Sequence, residues 1–170
     1  MQDEPILGSE FDTELGKESS DQTVSECIRA LVAEELFAVL CTQGEGQPYG
    51  SVVAFAFSHD LTSFVFATPK ATRKFRLLSG CDRVALVVDN RGKFPGDLMK
   101  VGAVTITGKA LQIEPGPDFE GWARLLTARH PYLKLFIEAP STALFRVNAV
   151  RFLHVTRFQE VRQWIPASNG

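Results

Sequence analysis

Histidine, cysteine and methionine are scarce in this 170-residue chain, at three, three and two residues. No CxxC, HExxH, GxSxG, P-loop or GxGxxG spacing occurs, so the usual marks of zinc sites, zincin proteases, elbow hydrolases, NTPases and Rossmann domains are missing. Long apolar runs are missing too. The longest unbroken ones, 36–41 and 52–57, fall far short of the roughly 20 residues of a membrane helix. The opening Met-Gln-Asp-Glu-Pro has no apolar stretch behind it, which predicts no secretory signal. Cys27, Cys41 and Cys81 are odd in number and lie in or beside apolar segments, so reduced core thiols in a cytoplasmic protein are expected. None has a local partner base, so no thiol nucleophile is expected. His59, His130 and His154 fall in different elements without ligand spacing, and no metal is expected.

What is present is average for one soluble domain: 45% apolar and 22% charged residues, with a net charge of −2. The charge is unevenly spread. Residues 1–21 hold seven acids against the single base Lys17, leaving thirteen acids and seventeen bases beyond them. That excess is too small to imply nucleic acid and suits a small anionic ligand. The expected organisation is a flexible acidic arm over 1–21, one domain over 22–166 and a tail over 167–170.

Val24, Cys27, Ile28, Leu31 and Val32 make one apolar stripe and predict a helix over 22–35, with Thr23 and Glu26 spaced as a capping box. Strands are expected at 36–42, 49–58 and 63–68. Gln43–Pro48 and His59–Thr62 read as the turns between them, which predicts an antiparallel meander. A short helix at 69–79 should bury Ala71, Phe75 and Leu78. A strand at 83–89 and a loop at 90–97 follow. One long strand at 98–113 is then expected, with bends at Gly102 and Gly108. Phe119, Trp122, Ala123 and Leu126 mark a helix at 118–130, and 143–147, 151–158 and 161–165 read as three short strands. The fold class is mainly β with added helices packed outside a small antiparallel barrel.

Two segments could carry chemistry. Lys70, Arg73, Lys74 and Arg76 fall within seven positions at the start of a helix that follows a strand. Free N–H groups there favour a phosphate, Arg73 adds a bidentate fork and Lys74 a point charge, and Thr68 and Thr72 offer hydroxyls. A solvated basic helix face is the bland alternative. In Tyr49–Phe57, the small residues Gly50, Ser51, Ala54 and Ala56 leave backbone exposed between Val52, Val53 and bulky neighbours, where a flat aromatic ligand could lie. Ordinary packing in a central barrel strand is the alternative there.

The order of strand, turn, small-residue strand, turn, Phe66-x-Thr68-x-x-x-Thr72-Arg73-Lys74 helix and Arg83-Val-Ala-Leu-Val-Val88 strand resembles the FMN-binding split-barrel superfamily of pyridoxamine 5'-phosphate oxidase. Ala128-Arg-His-Pro131, Ala143-Leu-Phe-Arg-Val147 and Arg162-Gln-Trp-Ile165 resemble its bacterial haem-utilisation branch. The resemblance covers roughly residues 22–166. It implies a six-stranded split barrel, a homodimer and FMN at each of two sites along the dimer interface. Thr72, Arg73 and Lys74 would grip the phosphate with help from Thr68 and Lys70, and Gly50, Ser51, Val52, Val53 and Ala54 would run beside the ring. The oxidases' Arg-Leu-His-Asp segment is replaced by Arg151-Phe-Leu-His-Val-Thr-Arg157, without the acid, and the haem branch's Val-Gly-Gly-Phe-Gly by Val155-Thr-Arg-Phe-Gln159. The expectation is a flavoprotein oxidoreductase of unnamed substrate with no marked catalytic acid or base. A haem-binding protein or a non-catalytic binding dimer on the same scaffold is the alternative. Trp164 is expected to pack in the core or at the interface rather than against cofactor.

Overall fold

A computed structural model of the chain describes residues 21–157 and 160–167, with side chains from Val24 onward. The arm at 1–20, Phe158, Gln159 and positions 168–170 lie outside the described residues. The elements are α1 (Asp21–Glu34), β1 (Phe37–Gly44), β2 (Gln47–Phe57), β3 (Ser63–Pro69), α2 (Arg73–Gly80), β4 (Arg83–Asp89), β5 (Ala103–Gln112), α3 (Pro117–Arg129), α4 (Lys134–Glu138), β6 (Thr142–Thr156) and β7 (Glu160–Trp164). The strands form one antiparallel sheet in the order β3-β2-β1-β4-β5-β6-β7, and pairing of β3 with β6 closes the first six into a barrel.

The meander forms as expected, and its turns show why. Glu45 and Gly46 both have positive φ (54° and 76°), the geometry a two-residue hairpin needs. In the next turn Asp60 accepts from the Ser58 hydroxyl, the Thr62 amide and the Thr62 hydroxyl. Those bonds, the Ser58 hydroxyl first, hold its carboxyl down at about 2 and steady Leu61 at a φ of 62°.

Several boundaries differ. α1 begins at Asp21, so Thr23 falls inside the helix instead of capping it. Thr72 caps α2, accepting from Phe75 N at 3.3 Å, which leaves Ala71 outside the helix and exposed. Residues 98–113 are not one strand: Leu98–Lys100 is a 3-10 turn and β5 starts at Ala103, so Gly102 lies before the strand. The short helix α4 had no sequence expectation, and the two strands expected at 143–147 and 151–158 are one continuous strand, β6.

The β5–β6 register shows how that strand is built. Gly108 opposes Ala149 and Thr107 opposes Arg151, so Val150 is an extra residue in a bulge. A Cβ on Gly108 would lie 2.3 Å from the Asn148 carbonyl oxygen. Gly108→Ala should therefore force backbone apart where β6 bends, destabilising the fold by roughly 1–3 kcal/mol as a lowered urea midpoint. An unchanged midpoint would show that the close approach is not needed.

The barrel interior holds Leu40, Phe55, Phe64, Phe66, Leu86, Ile106 and Phe152, with Val24, Ile28, Leu31 and Val32 of α1 packed into the same core. Phe75 and Leu78 of α2 join that core, and Trp164 packs against Phe152 with ring centroids 4.9 Å apart and planes tilted by 53°. A separate cluster outside the wall joins Ala56, Val65 and Leu144 to Leu126 and Ile137, so α3 and α4 cover the β2–β3–β6 side. Arg129 of α3 fastens the two helical layers. Its Nη2 donates to the carbonyls of Val32, Ala33 and Glu35 at the end of α1, and its guanidinium lies over the rings of Phe55 and Phe57. No helix among the described residues is long and apolar enough to cross a membrane.

Candidate functional site

β2 is divided along its length. It pairs with β1 from Gln47 to Ala54 but with β3 only from Phe55 to Phe57. β3 is paired with β6 along its whole length from Ser63 to Pro69, and beyond Phe66 it runs on without β2 beside it. The barrel thus splits, and the β2 edge over Gly50–Ala54 faces no strand on that side among the described residues. The end of β3 leads directly into the first turn of α2. The two segments singled out in the sequence are brought together, one on each lip of this split. Arg73 bridges the lips, its guanidinium 5.2 Å from the centre of the Tyr49 ring.

Strand alternation sorts the β2 residues. Val53 is buried and Val52 is 67% exposed. Tyr49 and Ser51 share the inward side with Val53, while Gly50, Val52 and Ala54 share the outward side. Ser51 Oγ is buried and has no hydrogen-bond partner. A buried hydroxyl left unsatisfied is unusual and marks a place where a ligand atom can bond. The Tyr49 ring and the Ser51 hydroxyl were not singled out as side chains in the sequence. Their shared parity with Val53 was the available signal.

The α2 turn gathers donors and cations that could hold an anion. The amides of Arg73 and Lys74, first in the helix, have no protein acceptor among the described residues. Lys74 is half-buried and forms no ion pair with a described residue; burial pushes its pKa below the ordinary lysine value. A desolvated ammonium without a counterion gains from an anion brought to it. The threonine hydroxyls bond within the turn. Thr72 donates to the Pro69 carbonyl at 2.8 Å while accepting from Phe75 N, and Thr68 Oγ1 lies 3.0 Å from Thr72 Oγ1. Their protons are spent bracing the turn, so the donors left for a ligand are the two amides, Arg73 and Lys74. Lys70 is engaged elsewhere: its Nζ donates to the Pro140 carbonyl at 2.9 Å and its amide to Ser141 O at 2.8 Å. A groove of about 800 Å³ extends from Arg73 past Arg76 and Leu77 beneath the β1–β2 turn. These residues fit a phosphomonoester attached to a flat ring: paired amides and cations for the phosphate, an open strand edge and an orphan hydroxyl for the ring.

The histidines and cysteines stand apart from this split. His59 is an exposed turn residue whose carbonyl accepts from Arg29. His130 is fully buried, its Nε2 2.9 Å from the Phe55 carbonyl. His154 faces inward from β6 and is 4% exposed. The three cysteines are free and half-buried rather than core, Cys41 facing outward opposite Gly50. Among the described residues no group of three or more His, Cys, Asp or Glu gathers as a metal site.

The family model described as pyridoxamine 5'-phosphate oxidase matches residues 24–156. Comparison with curated proteins returns no match. Among solved structures, a haem-binding protein from Mycobacterium smegmatis superposes with a TM-score of 0.72 at 17% identity, covering 81% of this chain and 55% of its own. This chain therefore spans little more than half of that protein. The haem storage protein HutZ of Vibrio cholerae gives a TM-score of 0.59 at 17% identity over 73% of this chain and 88% of its own. An FAD-binding protein from Mesorhizobium loti gives 0.61 at 15% identity over 76% and 91%. At these identities the likeness is one of fold, the closed barrel with its added helices.

Proposed function

The chain belongs to the pyridoxamine 5'-phosphate oxidase family, and from that premise we propose that it is an FMN-binding flavoprotein acting as a homodimeric oxidoreductase. The observation that carries this reading is Arg73 at a helix start, its guanidinium over the Tyr49 ring of a strand whose edge the split leaves open, with half-buried Lys74 next to it in the chain. In this reading Arg73, Lys74 and their amides hold the phosphate, and the ring lies along Gly50–Ala54 with the Ser51 hydroxyl at its rim. FMN, when bound, supplies hydride or single-electron chemistry; the chain binds it, orients it and limits its exposure to water. The side chains named here bind and orient the ring and its phosphate.

A second reading, haem binding, is favoured by the haem-binding and haem-storage proteins among the structural neighbours. One measurement separates the two. The purified full chain, titrated with FMN and with haemin, should show flavin bands that sharpen on binding and bind FMN at least tenfold more tightly than riboflavin. A Soret band that saturates at one haem per chain, with no FMN binding, would replace the first reading with the second.

A further inference from the structure

At the opposite end of the barrel from α2 lies a second cavity of about 530 Å³. Cys27 and Leu31 of α1 form one wall. Phe94, Met99 and Val101 of the 90–102 loop form the other, and the end of β6 brings His154 to it. The loop wall is tied at its neck: Asn90 N donates to Gly102 O at 3.2 Å, and Gly102 N donates to Asn90 Oδ1 at 2.8 Å. Asp97 Oδ1 accepts from Met99 N at 3.2 Å and fixes the turn within it. The cavity is therefore preformed, and its walls are mostly hydrocarbon and sulfur.

Of the polar residues in that lining, Glu34, Asn90, Lys100, His154, Thr156 and Arg157, only His154 is buried. It is 96% buried by exposure, its Nδ1 is wholly buried without a partner, and neither ring nitrogen is bonded to a described residue. Buried polar groups are rarely left so. Desolvation, and secondarily Arg162 opposite it on β7, push its pKa down, so at neutral pH the ring is uncharged and offers one donor and one acceptor. The charges at the rim are paired among themselves: Lys100 with Asp97 at 3.1 Å, Arg157 with Glu160 at 3.4 Å, Glu34 with Lys93 at 2.6 Å. Arg162 is not part of the lining.

We propose that this cavity is a binding site for an uncharged, mainly apolar molecule bearing one hydroxyl or carbonyl group, which pairs with His154. The paired rim gives no advantage to a charged ligand, and His154, the buried polar side chain of the lining whose ring nitrogens have no described partner, calls for a polar group on the occupant.

The test uses the full chain with 1-naphthol, naphthalene and 1-naphthoate as probes, followed by fluorescence. 1-Naphthol should bind saturably, roughly five- to tenfold more tightly than naphthalene, as one buried hydrogen bond allows. 1-Naphthoate should bind more weakly than 1-naphthol. His154→Phe should erase the preference for 1-naphthol over naphthalene. Ala30→Trp, at an exposed α1 position lining the cavity, should abolish binding of both while leaving the fold intact. In the parent chain the His154 ring ¹⁵N resonances should shift on adding 1-naphthol, a readout that survives if His154→Phe fails to fold. Absence of saturable binding, tighter binding of 1-naphthoate, or unmoved His154 resonances would each overturn the proposal.

Discussion

Replacing Arg73 and Lys74 together by alanine should weaken FMN binding by roughly 100- to 1,000-fold and leave riboflavin binding almost unchanged. Each side chain offers the phosphate a charge-assisted hydrogen bond, worth about 1.5–3 kcal/mol when the partner is left desolvated. Two such contacts on one phosphate are not independent, so their joint loss is set at about 3–4 kcal/mol instead of the full sum. Arg73 alone should account for about ten- to a hundredfold. The variant should keep its melting temperature. Arg73 is exposed, touching the Tyr49 ring from outside the core, and half-buried Lys74 carries a charge that no described residue neutralises. Losing that uncompensated ammonium relieves desolvation as much as it removes packing. Calorimetric titration of the apoprotein with both flavins provides the measurement. Equal affinities for FMN and riboflavin in the parent chain would mean that the α2 turn is a solvated basic face and no phosphate grip.

The positions of these residues were readable from the chain; their division of labour was not. Arg73 and Lys74 stand at a helix start because a threonine precedes them and a strand precedes the threonine, which is local information. That Thr68 and Thr72 spend their protons within the turn, and that Lys70 reaches the Pro140 carbonyl, follows from how β3 meets the start of β6, some 70 positions away in sequence. The barrel shows the same contrast. The β1–β3 meander was legible because each hairpin carries its own turn residues. β6 was read as two strands because its alternation slips: Val147 and Phe152 both face the core, five positions apart, an odd step that only the extra residue Val150 permits. A period-two pattern that changes phase looks like an ending when Gly108, the residue across the bulge, is not in view. The split itself, where β3 deserts β2, leaves no mark in composition, since Gly50–Ala54 reads the same whether the edge beside it is paired or open.

Val52→Asp should convert a dimer into a monomer without unfolding it. α3 and α4 cover the outside of the barrel at the end of β2 around Ala56, at β3 and at the start of β6, whereas the outside of the earlier part of β2, of β1, β4 and β5, and of the later part of β6 has no described element over it. Cross-strand pairing lines up Val52, Val39, Val87, Thr105, Leu153 and Gln163 in one row across that face. Cys41 and Ala85 stand beside it, and Phe37, 52% exposed, stands opposite Ala54. A face with such an uncharged central row, bordered by Arg151 beside Thr107 and by Asp89 and running from the open lip of the split to the last strand, supports self-association through the same surface on both partners. In such a pairing each substitution is felt twice. Two lost valine burials at about 2 kcal/mol each would weaken association roughly a thousandfold, before the added penalty of a buried carboxylate. Because Val52 is two-thirds exposed in the single chain, the variant should stay folded with the parent's circular-dichroism spectrum, its melting temperature lowered only by the stabilisation that assembly lends the parent, which separates lost assembly from lost fold. Sedimentation velocity at micromolar concentration should show a dimer for the parent and a monomer for the variant. If the ring site along Gly50–Ala54 is completed across this face, the monomer should also hold FMN more weakly while its Arg73 and Lys74 remain in place. A parent chain that sediments as a monomer with FMN bound would place the whole flavin site within one barrel and leave this face without a role in it.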